Sequence, residues 1–79
     1  MEIKVLGTGC SKCKSLEQAT LQAISELGIN ARVEKVEDIQ KIMSFNVMRT
    51  PALVIDGKVV ISGQVPNMAD LIVLINKNL

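Results

Sequence analysis

The chain has 79 residues, 48% of them hydrophobic, with nine basic and eight acidic side chains and a net charge of +1. A chain this short reads as one domain spanning 1–79, close to the lower size limit for folding on burial alone, because it hides only about 60–65% of its unfolded surface. Its charges form no block of either sign, which excludes nucleic acid and anionic membranes as expected partners, and its longest apolar run, Leu71 to Ile75, is far too short to span a bilayer.

Glu2 to Leu6 alternates polar and apolar residues, the period of a half-buried strand. Gly7-Thr8-Gly9 then leads into Cys10-Ser11-Lys12-Cys13, and from Ser11 the period becomes helical. Leu16, Ala19, Thr20, Ala23, Ile24 and Leu27 form the stripe, with Lys14, Glu17, Gln18 and Gln22 outside it. Gly28 supplies the helix stop. Ala31 to Val36 alternates again and predicts a second strand, with Arg32 and Glu34 on its solvated face. Asp38 is placed to cap a short helix whose apolar side is Ile39, Ile42 and Met43.

Asn46 to Thr50 reads as a loop, and Pro51 opens a third strand, Ala52 to Ile55. Asp56-Gly57 is the preferred pair for a two-residue hairpin, so Lys58 to Ser62 is expected to return antiparallel. Gly63 to Pro66 breaks the pattern. Asn67, with Asp70 three positions on, then opens a last helix buried through Met68, Leu71, Ile72 and Ile75. The order is βαβαββα. Strands flanking the first helix are expected to be parallel through a right-handed crossover, which gives an α/β fold: a four-stranded mixed sheet with helices on both faces. The cysteine loop falls at the carboxyl end of the first strand, where open α/β sheets bind their ligands.

Cys10 and Cys13 are the only cysteines. Two thiols three positions apart at a helix start lie on one side of the first turn, close enough to bond to each other. A disulfide between them would close a very short loop and remove little unfolded-state entropy, so the pair serves chemistry more than stability. Orphan N–H groups at the helix start, with Lys12 and Lys14, supply positive charge that favours a thiolate at Cys10. Such a pair can exchange electrons with a partner's disulfide.

The βαβαββα order, Cys-x-x-Cys after the first strand and a proline at the start of the third resemble the thioredoxin superfamily in its glutaredoxin-sized form. Gly7-Thr8-Gly9-Cys10-Ser11-Lys12-Cys13 together with Thr50-Pro51-Ala52-Leu53-Val54-Ile55-Asp56-Gly57 is most similar to the small "redox-active disulfide protein 2" group of archaea and bacteria. The resemblance covers essentially the whole chain. It implies that Cys10 is the exposed nucleophile, that Cys13 resolves the mixed disulfide, and that the Thr50–Pro51 bond is cis. Substrate contacts are then expected from Thr8, Gly9, Ser11, Lys12, Arg49, Thr50, Pro51 and Gly63. The backbone of Thr50 would pair with an extended substrate, Ser62-Gly63-Gln64 would add a second backbone edge, and Arg49 is placed to meet a carboxylate.

The chain departs from larger relatives of that family. It has no tryptophan before Cys10, no proline between the cysteines and no evident buried carboxylate; Ser62-Gly63-Gln64-Val65 stands where glutaredoxins carry a glutathione-binding Gly-Gly-x-Asp. The alternative is a soft-metal Cu(I) carrier of the heavy-metal-associated type, which also places Cys-x-x-Cys between a first strand and a helix. That fold runs βαββαβ, and two thiolates without a histidine leave a tetrahedral ion half-bound. The expectation is a monomeric, cytoplasmic dithiol–disulfide oxidoreductase with no metal and no cofactor. It would reduce disulfide-containing proteins and be recharged by a separate, thioredoxin-reductase-like donor.

Overall fold

The computed structural model describes residues 1–9 and 11–79. Its elements run β1 (Glu2–Leu6), α1 (Ser11–Leu27), β2 (Arg32–Val36), α2 (Ile39–Ser44), β3 (Ala52–Ile55), β4 (Lys58–Ser62) and α3 (Met68–Lys77), the expected βαβαββα order. The sheet order is β2-β1-β3-β4. β1 pairs parallel with β2 and antiparallel with β3, and β3 pairs antiparallel with β4. The strands thus form the four-stranded mixed sheet of a thioredoxin-like α/β fold.

Alternation along the strands sorts side chains into two cores. Ile3 and Val5 of β1, Leu53 and Ile55 of β3, and Ile61 of β4 pack with Leu16 and Ala23 of α1 and Leu71 and Ile75 of α3. On the other face Leu6, Val36, Ala52 and Val54 meet Ile42 of α2 and Val47, with Phe45 half-buried beside them. Helices therefore cover both faces, and β3, buried at every position, is the strand most enclosed by them. Lys4 points to the α2 face, where its ammonium lies 5.5 Å from the centre of the Phe45 ring.

Local chemistry sets the element ends. Along α1 the buried residues Cys13, Leu16, Thr20 and Ala23 follow helical spacing. The Thr20 hydroxyl, wholly buried, donates to the Leu16 carbonyl at 2.7 Å, so its burial leaves no unmet polar group. Asp38 caps α2 by accepting from the Gln40 N–H at 3.0 Å, and Asn67 caps α3 by accepting from the Asp70 N–H at 2.8 Å. Asp56 and Gly57 both take positive φ, 49° and 84°, as a type I′ hairpin requires.

One expectation fails. Helical spacing puts Ile39 and Met43 with Ile42 on the apolar side of α2, yet they are 61% and 66% exposed while Ile42 is 5% exposed. The helix has six residues, too short to present a stripe. It is anchored at one point, and Phe45 and Val47, beyond its end, complete the contact with the sheet.

Candidate functional site: the strand ends around Cys13

Register places the site. Val36, Leu6, Ala52 and Ser62 lie in one row across the four strands, since Leu6 pairs with both Val36 and Ala52, and Ala52 pairs with Ser62. One residue beyond that row stand Glu37, Gly7, Pro51 and Gly63. Backbone hydrogen bonds tie these ends together: the Gly7 N–H donates to the Val36 carbonyl at 2.9 Å, and the Gly63 N–H donates to the Pro51 carbonyl at 2.8 Å.

Cys13 sits on the first turn of α1, 2% exposed, with its side chain against Gly7. A Cβ at position 7 would overlap the Cys13 sulfur and approach its Cβ to 3.0 Å. Glycine at position 7 is therefore a requirement of space: it lets the backbone leaving β1 pass directly over the sulfur. Cys10, expected as the nucleophile, lies outside the described residues.

The other expected site residues divide into those that are brought together and those that are not. Lys12 and Gly63 line one open groove of about 510 Å³, with Ser15, Gln64 and Val65. The stem of Arg49 packs on Gly63: a Cβ there would come within 2.9 Å of the Arg49 Cβ and 3.0 Å of its Cδ. Gly63 has φ 75°, so both conformation and space favour glycine. The Ser62 hydroxyl reaches the Arg49 carbonyl at 3.5 Å. Pro51 is buried, Thr50 is exposed, and the peptide bond between them is cis. Thr8 and Ser11 are exposed and Gly9 is half-buried on the loop from β1. Neither Thr8 nor Ser11 lines the groove. Among the described residues the single ion pair is Lys35–Glu37, 3.7 Å.

Sequence reasoning did not assign Ser15, Val65 or Glu37. Ser15 follows Lys12 at helical spacing, and Val65 adjoins Gly63 and Gln64, so both could have been read from their neighbours. Glu37 is subtler. Its carboxylate reaches within 3.3 Å of where a Cβ on Gly9 would stand. In a parallel pair the residues just past both strand ends lie side by side, and this relation was the available signal for placing Glu37 beside the β1 loop.

The enclosed sulfur at the carboxyl end of a central strand, within a βαβαββα sheet, defines a class that known proteins share. The Thioredoxin domain family matches residues 1–76. A protein named Thioredoxin from Methanothermobacter thermautotrophicus is 35% identical over 71 residues, covering 90% of this chain and 92% of the relative. Another of that name, from Methanocaldococcus jannaschii, is 35% identical over 69 residues, covering 87% of this chain and 79% of the relative. The chain belongs to the thioredoxin family and is a thioredoxin-like redox protein of the thiol–disulfide oxidoreductase class. The soft-metal carrier is not favoured, because the family match and both relatives are thioredoxins and helix α2 stands between β2 and β3, where the carrier fold runs directly from strand to strand.

Proposed function

We propose that the protein is a dithiol–disulfide oxidoreductase that reduces protein disulfides through Cys10 and Cys13. The observation that carries the reading is the burial of Cys13, 2% exposed, behind Gly7 on the first turn of a helix. A thiol so enclosed is shielded from disulfides in solution and reacts with one already joined to its neighbour three positions earlier. Membership of the thioredoxin family and the Thioredoxin name of both relatives support the same chemistry.

In the reaction the Cys10 thiolate attacks one sulfur of the substrate disulfide. That bond breaks, and its electron pair leaves on the other substrate sulfur. Cys13 gives up its proton and attacks the Cys10 sulfur, the bond from Cys10 to the substrate breaks, and the second substrate thiolate departs. The substrate gains two electrons and takes up two protons, while Cys10 and Cys13 end as a disulfide. A separate donor of the thioredoxin-reductase type restores both thiols. Thr50, exposed beside buried Pro51, offers its backbone to an extended substrate segment, and Lys12, Arg49 and Gly63 border that segment.

The test is trapping. Cys13→Ser is expected to accumulate covalent complexes with substrate proteins in an extract, because attack proceeds and release does not. Cys10→Ser should accumulate none. A folded Cys13→Ser protein that traps nothing would overturn the assignment.

A further inference from the structure

The row of strand ends carries an uneven distribution of charge. At its β4 end, the exposed Lys12 lines the groove together with Gly63, and the stem of the exposed Arg49 packs along Gly63. Among the described residues neither is in an ion pair, and no carboxylate lines the groove. Lys14, exposed on the same turn of α1, adds charge of the same sign, and Glu17 is the nearest acid along that helix. At the β2 end stands Glu37, its charge partly offset by Lys35 at 3.7 Å.

Neighbouring strands are about 4.8 Å apart, so Glu37 and Gly63, separated by three strand spacings, are roughly 14 Å apart. That exceeds the screening length of about 8 Å at physiological salt. A substrate group at the Gly63 end is therefore governed by Lys12 and Arg49, with little contribution from Glu37. The groove also offers Val65, 39% exposed, as an apolar wall, and the Gln64 amide as a neutral hydrogen-bonding group.

From this arrangement we infer that the site selects disulfides flanked by acidic residues, with a substrate Asp or Glu side chain seated between Lys12 and Arg49 over Gly63. The inference rests on the oxidoreductase reading and adds a substrate class to it.

The experiment uses pre-reduced full-length protein in single turnover against three disulfide-bridged peptides that differ only in one flanking residue: Glu, Gln or Lys. Each rate constant is divided by that peptide's rate with a neutral small thiol, which removes the flanking charge's effect on the disulfide itself. An exposed ion pair contributes about 0.2–1 kcal/mol, so the normalised preference for the Glu peptide over the Gln peptide is expected to be roughly 1.4- to five-fold. The Lys peptide should be slowest, and the preference should collapse toward one at molar salt. Lys12→Gln should shrink the Glu-to-Gln ratio and Lys12→Arg should keep it. The ratio is the readout because any effect of Lys12 on the Cys10 thiol is common to all three peptides. Equal normalised rates for the three peptides, or a ratio unchanged by Lys12→Gln and Arg49→Gln together, would overturn the inference alone. Failure to reduce even the Gln peptide would overturn the oxidoreductase reading and this inference with it.

Discussion

The backbone of Gly7 crosses the Cys13 sulfur so closely that a single methyl group at residue 7 would occupy the sulfur's own space. Gly7→Ala must therefore push the β1 loop and α1 apart or force Cys13 off its rotamer. Overpacking of this kind costs about 1–3 kcal/mol. Urea unfolding of the reduced protein should show a lower midpoint at unchanged slope. An unaltered midpoint would mean that the loop moves freely and that the contact does not shape the site.

Burial also predicts reactivity. In a Cys10→Ser protein, Cys13 should react with a bulky thiol reagent orders of magnitude more slowly than in denaturant, since access requires local opening. In a Cys13→Ser protein, Cys10 should label rapidly under native conditions. Equal labelling rates in the two folded variants would remove the distinction between attacking and resolving thiol.

If Cys10 is the attacking thiol, it must be ionised at working pH, so its thiolate absorbance should persist to lower pH than that of an ordinary thiol near 8.5. The sign follows from stabilising the thiolate over the neutral thiol, which lowers the pH at which the proton is lost. Comparing wild-type and Cys10→Ser titrations assigns the change. An early titration that survives in Cys10→Ser would give the attacking role to Cys13.

The single anchor of α2 makes a sharp contrast. Ile42→Ala should cost about 2–5 kcal/mol, as expected for a core truncation, while Ile39→Ala, three residues earlier on the same helix, should stay within about 0.5 kcal/mol. Thermal or chemical unfolding of the two variants checks this. Comparable losses would show that Ile39 contributes to the core after all.

The fold was legible wherever one residue type has one geometric use. Asp56-Gly57 gave the hairpin, Asp38 and Asn67 the caps, and the period change at Ser11 the first helix; all stand within a residue of where pattern placed them. The exposure of Ile39 and Met43 was not legible, because a helix of one and a half turns carries too few residues to reveal which face meets the sheet. At the site, Lys12 and Gly63 were singled out and do line one groove. Glu37 escaped notice because its proximity to Gly9 arises from strand register, which no local pattern encodes. The same limit applies to the packing of the Arg49 stem on Gly63, a contact between segments far apart in the chain.

The row formed by Val36, Leu6, Ala52 and Ser62 carries a consequence for how such a protein can change. Each segment beyond it hangs from the end of a different strand, and the two cores lie behind the row. A segment such as 63–66 can therefore be exchanged for another with little effect on the packing that holds Cys13. The strand-end segments and the packing behind them thus fall on different parts of the chain, so residues 63–66 can vary while the surroundings of Cys13 stay as they are.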